Sequence, residues 1–296
     1  MKMPLKSRLF VLLLLLCFCR MVFAAGERLS LWEASGASGT VYLFGSIHVC
    51  TAECFPLSGS VLKRFDASDA LMIELDPQKA GAQTSLLNAA TLPVGERLDK
   101  KLTVAEWSAL SVVLNGLGLA PERLNTLRPW MISLLISMQV AKQAGFELEK
   151  GVDLSLLARS RAQGKTLIEL ETAERQIRAL SAGSEQEQTE SLNRMVVQVR
   201  SGRMPAMLGD LFVAWKTGNA EALGKLVLED MPEDSIQTRE LLNQRNHEMA
   251  HAIVLRQRDG GKLFVVVGAA HMIGDEGLPA LLQKQGFRVT QIHDGE

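Results

Sequence analysis

The chain has 296 residues, of which 47% are hydrophobic and 22% charged, and its formal net charge is −1. This length fits one large domain or two small ones, and no Pro/Ser/Gly-rich linker divides it. Because acidic residues are not outnumbered by basic ones, and outnumber them once residues 1–25 are removed, the composition argues against a nucleic-acid partner, whose phosphates would need a basic surface.

The first 25 residues have the composition of a secretory signal peptide. A basic start precedes an unbroken apolar run at residues 9–19, and small residues follow, with Ala24 or Ala25 as the last residue removed. The apolar run is too short to span a bilayer, so no membrane anchor is expected after cleavage. We predict export to the periplasm and a single domain over residues 26–296.

Cleavage changes the charge and the cysteine content of the mature chain. It removes four basic residues and no acidic one, which leaves 28 basic against 33 acidic residues, a net charge of about −5. Cys17 and Cys19 are lost, and the bulky residues before them argue against a lipoprotein. Cys50 and Cys54 remain, and an oxidising compartment favours a disulfide between them over free thiols. Two cysteines alone cannot make a metal site.

Strand-like segments occur near both ends of the mature chain. They lie at residues 29–34, 40–45, 70–76, 165–171, 262–268 and 287–293. The first two are joined by Ser-Gly-Ala-Ser-Gly, which predicts a hairpin. Because helical segments separate most of the others, the order of elements favours a mostly parallel sheet.

The middle of the chain is largely helical. Helices are predicted after Pro56, from Pro129 to Gly145, from Asp153 as a helix cap, and over residues 184–202, 235–257 and 277–286. The long stretch from residue 86 to residue 230 contains only one strand-like run. We therefore predict an α/β fold with a mostly parallel central sheet, flanking helices and a large helical insertion.

Two of the apolar strands end in the same motif, Gly-x-x-His. "YLFGSIHV" contains Gly45 and His48, and "FVVVGAAHMIG" contains Gly268 and His271. Because parallel strands end at one edge of a sheet, we expect both histidines there, beside Glu74 of "MIELD". Two imidazoles and a carboxylate suit a divalent transition metal such as Zn, Mn or Co. The alternative is a pair of structural histidines in ordinary turns.

A competing motif occurs in "RNHEMAH", where His247 and His251 have the H-E-x-x-H spacing of zinc proteases. On a helix of about 100° per residue, both histidines fall opposite the apolar stripe, so we expect them to face solvent. The longer zinc-protease signature is absent, and only Glu276 is left as a distant third ligand. The same geometry turns Asn246, with Arg245 beside it, towards the sheet edge.

The chain resembles the TraB/GumN (Tiki-type) family over nearly all of its mature length. The matching stretches are "YLFGSIHV", "MIELD", "LRPWMISLLI", "GVDLSLLARSRAQGKTLIELETAERQI", "RNHEMA" and "FVVVGAAHMIGDEGLPALLQKQGFRV". The resemblance implies an α/β core related to the erythromycin-esterase and ChaN-like fold, and metal-dependent peptidase chemistry. It implies essential roles for His48, His271 and Glu74, and it places Arg245 and Asn246 in a further family motif.

Two acidic residues also fit the family pattern. Asp153 in "GVD" is explained equally well as a helix cap. Glu171 in "ELET" follows a predicted strand, as Glu74 does, and is expected to line the same cleft. Neither is assigned a catalytic role.

Two classes of function follow. In the first, the protein is a periplasmic metallohydrolase that cleaves a peptide or protein substrate through a metal-activated hydroxide. Glu74 then handles protons, and Arg245 or Asn246 steadies the oxyanion. In the second, it is a binding or regulatory module that captures a peptide, a metal or haem without turnover.

Overall fold

A computed structural model describes residues 28–79, 81–231 and 234–295 of the protein. The predicted signal peptide at residues 1–25, with its cleavage site, lies outside these described residues. Among the helices that the structure describes, none combines the length and the apolar character needed to cross a membrane.

A mixed six-stranded sheet lies at the centre of the described chain. Its strands are β1 (Arg28–Gly36), β2 (Gly39–Ser46), β3 (Ala70–Ile73), β4 (Thr166–Glu169), β5 (Gly261–Gly268) and β6 (Arg288–His293), in the spatial order β4-β3-β5-β2-β1-β6. β4, β3, β5 and β2 pair in parallel, whereas β1 runs antiparallel to both β2 and β6. The predicted parallel pairing thus holds for the four neighbouring strands β4, β3, β5 and β2, but not for the pairs that β1 forms with β2 and β6.

The α/β class is confirmed by the helices that surround the sheet. They are α1 (Gly59–Asp66), α2 (Ala82–Ala90), α3 (Val104–Gly116), α4 (Pro129–Gln143), α5 (Val152–Ala162), α6 (Ala173–Leu180), α7 (Glu185–Arg200), α8 (Arg203–Lys216), α9 (Ala220–Asp230), α10 (Gln244–Gln257) and α11 (Leu278–Lys284). Short helical turns occur at Ala52–Cys54, Leu98–Lys100, Pro121–Leu124, Leu148–Lys150, Ile236–Thr238 and Ala269–Met272, and a π-helical turn at Arg239–Asn243.

The sheet separates two apolar cores because successive strand residues point to opposite faces. Phe44, Leu71 and Phe264 pack on one face, which is covered by α1, α5 and α8. Their neighbours along the strands pack on the other face, under α10 and α11. A third core lies among the inserted helices and includes Leu110, Leu114, Ile132, Ile136, Leu192 and Val196. The insertion therefore has an apolar interior of its own.

Two predicted helices differ in detail from the structure. The helix predicted over residues 235–257 begins at Ile236 with Ser235 as its N-cap, but the π-helical turn interrupts it before α10. The prediction that Asp153 caps a helix is wrong, because Gly151 occupies the N-cap position of α5 and Asp153 lies in its first turn. The carboxylate of Asp153 is thereby free to bind another group. By contrast, α4 begins at Pro129 as predicted.

Candidate active site at the carboxyl ends of the parallel strands

The loop after β2 presents His48 and is fixed at several points. The Trp215 indole donates a hydrogen bond of 2.7 Å to the carbonyl of Gly45. The Val152 N–H donates to the carbonyl of Ile47 at 3.0 Å. A side chain at Gly45 would place its Cβ 2.6 Å from Ser30 Oγ, so the close packing at the end of β2 favours glycine.

The cysteine pair lies just beyond His48. Cys50 and Cys54 are at disulfide distance, as the sequence predicts, with Cα atoms 6.3 Å apart. Both are buried, and the backbone of Cys50 also exchanges two hydrogen bonds with Glu147. The segment that follows His48 is therefore anchored by its backbone as well as by this pair.

His48 lies at the open side of the cleft, with 57% of its side chain exposed. Its Nδ1 atom is 3.0 Å from Oδ2 of Asp153 on α5, which orients the ring and leaves Nε2 facing inwards. Loss of water around the ring would lower the pKa of His48. The hydrogen bond to Asp153 and the negative charge of Glu74 outweigh this effect and raise the pKa to about 9.

His271 lies at the buried side of the cleft, and only 3% of the residue is exposed. The Asn246 amide donates to the carbonyl of Glu276 at 2.7 Å, so its oxygen faces Nδ1 of His271 at 2.5 Å. An amide oxygen only accepts, so Nδ1 carries the proton and Nε2 carries the lone pair. Burial lowers the pKa of His271 to about 4, which keeps the ring neutral at pH 7.

Glu74 follows β3 and is bound through both carboxylate oxygens. Oε1 accepts a hydrogen bond of 2.6 Å from the Gly268 N–H, and Oε2 accepts one of 2.6 Å from Nη2 of Arg245. Burial alone would raise the pKa of Glu74, but positive charge on His271, His48 and Arg245 and the Gly268 bond lower it to about 2. At neutral pH, where His271 is uncharged, the other groups keep the carboxylate ionised.

Arg245 projects from α10 and binds a second carboxylate, that of Glu171. Its Nε and Nη2 atoms lie 2.9 and 2.6 Å from the two oxygens of Glu171, in bidentate geometry. Nη1 donates to the carbonyl of Leu241. The amide of Gln176 also donates to Glu171, at 3.2 Å. The guanidinium is therefore surrounded by protein acceptors.

The three predicted site residues meet around Gly268. A Cβ built on this glycine would lie 3.3 Å from Nε2 of His48, 3.5 Å from Oε1 of Glu74 and 3.7 Å from Cδ2 of His271. The three side chains therefore converge on the space that a side chain at position 268 would occupy. The carboxyl ends of β2, β3 and β5 thus bring His48, Glu74 and His271 together. From α10, Arg245 binds Glu74 and Asn246 binds His271.

Comparison with known proteins gives this cleft a family context. Residues 30–291 match the TraB/PrgY/gumN family. The chain belongs to this family. It is 29% identical to the uncharacterized protein YbaP of Escherichia coli (strain K12) over 255 residues, which cover 82% of this chain and 87% of that protein. An uncharacterized protein of Treponema pallidum (strain Nichols) is 22% identical over 273 residues, 86% of this chain and 80% of that protein. No solved structure matches.

In this TraB/PrgY/gumN chain, the side chains of the cleft are of the types that bind metals, but they are not arranged as a metal centre. Among the described residues, no group of three or more His, Cys, Asp or Glu is arranged to hold an ion. Nε2 of His271 lies 3.8 Å from Oε1 of Glu74. Two atoms each about 2.1 Å from one tetrahedral ion would be about 3.4 Å apart. A small movement would bring this pair of atoms to that spacing, and the ligand types of His48, Glu74 and His271 fit a divalent transition metal.

The H-E-x-x-H segment lies outside the cleft, as predicted. His247 is 59% exposed and pairs with Glu276 at 2.5 Å. Glu248 pairs with Arg175 at 2.7 Å, and His251 is exposed. Because Glu248 is bound to a guanidinium and the two histidines are at the surface, this segment does not form a zinc-protease centre in the described chain.

Sequence reasoning missed how the outer contacts of the site are made. Asp153 was interpreted as a possible cap and in fact binds His48, and Gln176 was not identified at all. Glu171 was expected in the cleft, but its bidentate pairing with Arg245 was not. The sequence feature that could have indicated this pairing is that Glu171 follows a strand, as Glu74 does.

Proposed function

We propose that the protein is an exported metal-dependent hydrolase that cleaves peptide bonds. The ligands are His48, Glu74 and His271, and the metal is a divalent transition ion such as Zn, Mn or Co. The peptide substrate and the Tiki-type relation come from the sequence resemblance, as does the relation to the erythromycin-esterase and ChaN-like fold. The cleft geometry supports the metal site.

The observation that carries the proposal is that each of the three ligands is held at its far atom. Asp153 binds Nδ1 of His48, Asn246 binds Nδ1 of His271, and Arg245 binds the outer oxygen of Glu74. Metal-binding histidines typically donate their second ring nitrogen to a carboxylate or carbonyl group, which fixes the ring and its tautomer. The atoms left towards Gly268 are two imidazole nitrogens and one carboxylate oxygen.

The charge of the buried side also supports a bound cation. Glu74 and Glu171 face a single guanidinium, that of Arg245, and His271 beside them is neutral at pH 7. These groups carry one more negative charge than positive. In the metal-free protein, protonated His48 offsets this excess, and a cation that displaces its proton would take over that role between Glu74 and the two histidines.

When bound, a divalent metal polarises a carbonyl group and lowers the pKa of water. The residues of the chain then have separable roles. His48 lies at the mouth of the cleft, where its exposed ring can meet substrate. Arg245 and Asn246 hold Glu74 and His271 in place through hydrogen bonds. Their part in steadying an oxyanion stays a prediction, as does proton transfer by Glu74.

Paired substitutions test the proposal. One variant replaces His48 and His271 with alanine, and the matched control replaces His247 and His251. Metal content is measured by elemental mass spectrometry and peptide cleavage by profiling with a peptide library. We expect the first variant to lose metal and cleavage and the control to keep both.

Three other outcomes would change the assignment. Loss of metal only in the control would favour the H-E-x-x-H segment. No metal in the wild type would overturn the metal site. Metal without cleavage would favour the binding or regulatory module, for which peptide, metal and haem are the candidate ligands. The export claim is tested separately by N-terminal sequencing, which should find Ala25 or Gly26 first and would contradict export by finding Met1 on a cytosolic protein.

A further inference from the structure

Glu171 is tied to Glu74 at the backbone. The N–H of Glu171 donates a hydrogen bond of 3.0 Å to the carbonyl of Glu74, just beyond Ile73 and Glu169, the last paired residues of β3 and β4. Two acidic residues are thereby placed side by side where the strands end. The side chain of Glu171 is only 3% exposed. Its negative charge therefore acts on the cleft with little screening by solvent.

Arg245 divides its hydrogen bonds unequally between the two acids. Two of them go to Glu171, at 2.9 and 2.6 Å, and one goes to Glu74, at 2.6 Å. The bond to Glu74 uses Oε2, whereas Oε1 faces the histidines and the Gly268 N–H. Glu171 is therefore the main partner of the guanidinium, and Glu74 keeps one oxygen towards the proposed metal.

The charges explain why a second acid is useful. An arginine paired with Glu74 alone would cancel the charge that makes a carboxylate a strong ligand for a cation. With Glu171 present, one positive charge is shared by two negative ones. The two acids and Arg245 together then retain a net negative charge, while Glu74 keeps a hydrogen bond that fixes its orientation.

We propose that Glu171 is a positioning residue for cation binding: it neutralises Arg245, so that Arg245 orients Glu74 without cancelling its charge. This inference rests on the proposed metal site, and it assigns Glu171 no contact with substrate or metal. Removing the charge of Glu171 should weaken the binding of a divalent cation even though the three ligands remain.

The test is a charge-balance cycle in zinc affinity, measured by competition with a chelator. Glu171→Gln keeps the shape of the side chain, and we expect it to weaken zinc binding about 10- to 100-fold, as for other residues behind metal ligands. Arg245→Gln combined with Glu171→Gln restores the net charge of the wild type, so the double variant should bind zinc more tightly than Glu171→Gln alone. Circular dichroism checks that each variant is folded.

The matched control is Glu169→Gln, which changes an acid two positions earlier on β4. Glu169 pairs with Lys79 rather than with a cleft residue, so zinc affinity should be unchanged. A double variant that binds more weakly than Glu171→Gln would show a merely structural role and overturn the inference, as would unchanged affinity in Glu171→Gln. Failure of the wild type to bind zinc through His48 and His271 would instead overturn the proposed function, and this inference with it.

Discussion

The two histidines of the cleft belong to the same four-residue motif, Gly-x-x-His, but lie in opposite environments. His48 is half-exposed and binds the carboxylate of Asp153, whereas His271 is buried and binds the neutral amide of Asn246. The pKa of the first is raised to about 9, and that of the second is lowered to about 4. The motif therefore sets where a histidine lies, whereas the carboxylate partner of His48 and the burial of His271 set the charges of the two rings.

This difference separates tasks within one site. The buried side holds Glu74, Arg245 and Glu171 in a buried network of hydrogen bonds. The open side leaves His48 with little around its outer surface. We expect substitutions on the buried side to affect the stability of the fold, and those on the open side to affect binding with little effect on stability.

The largest expected effect is that of Arg245→Ala. It leaves Glu74 and Glu171 as neighbouring buried carboxylates without their cation, and we expect a loss of about 3–5 kcal/mol in the free energy of unfolding, measured in urea. Arg159→Ala is the control, because Arg159 makes a similar bidentate pair with Asp66 at the surface. The control should lose far less, and equal losses would contradict a stabilising role for the buried network.

The glycines of the two motifs give the next contrast. Gly45→Ala would force a Cβ within 2.6 Å of Ser30 Oγ and 3.1 Å of Ala269 Cα, and we expect it to cost about 1–3 kcal/mol through overpacking. Gly268→Ala meets only the ends of cleft side chains, at 3.3 Å or more.

The alanine at position 268 should therefore change stability by less than about 1 kcal/mol. Its methyl group would occupy the space between the ligands, so zinc binding should be lost. Thermal unfolding and zinc titration of both variants separate these effects. A folded Gly268→Ala protein that binds zinc normally would place the metal elsewhere.

A third pair compares the residues behind the two histidines. Asn246→Ala leaves the Nδ1–H of His271 and the carbonyl of Glu276 without their buried partner, and we expect a loss of about 1–3 kcal/mol. Asp153→Ala removes a bond to an exposed ring and should cost less than about 1 kcal/mol. Urea unfolding measures both. A larger loss in Asp153→Ala than in Asn246→Ala would reverse the assignment of the buried and open sides.

The last contrast is the pH dependence of the two rings in the metal-free protein. In NMR titrations, His48 should stay protonated above its ordinary pKa of about 6.5, and His271 should stay neutral below it. Protonated His48 contributes stability below pH 6.5 that is lost as the pH rises through about 9.

For His271 the sign is opposite. The unfolded chain binds the proton first, so stability falls as the pH drops from 6.5 towards 4. Titration of both rings near 6.5 would show that their surroundings do not differ as described.

Much of the sheet and part of the site could be predicted from the sequence. Apolar runs and glycine-rich turns are local signals, so the β1–β2 hairpin and the strands that carry Gly45 and Gly268 were identifiable. Helical spacing likewise indicated that Asn246 faces inwards and His247 outwards.

The partners of the site residues could not be predicted in this way. His48 and Asp153 are 105 positions apart, and Glu171 and Arg245 are 74 apart, so no local pattern connects them. The π-helical turn before α10 could not be predicted from the sequence for a related reason. Its residues have ordinary helical character, and packing around Leu242 and Arg245 is a property of the assembled fold.

The cleft is built from segments that are made at very different times. Glu74 binds Arg245 across 171 positions and Gly268 across 194 positions. A chain that emerges from a ribosome begins to fold from its N-terminal end. It therefore carries β2 and β3 long before β5 and α10 arrive. Whatever chemistry the cleft performs, a nascent chain lacks it, and the site forms only once nearly the whole domain has been synthesised.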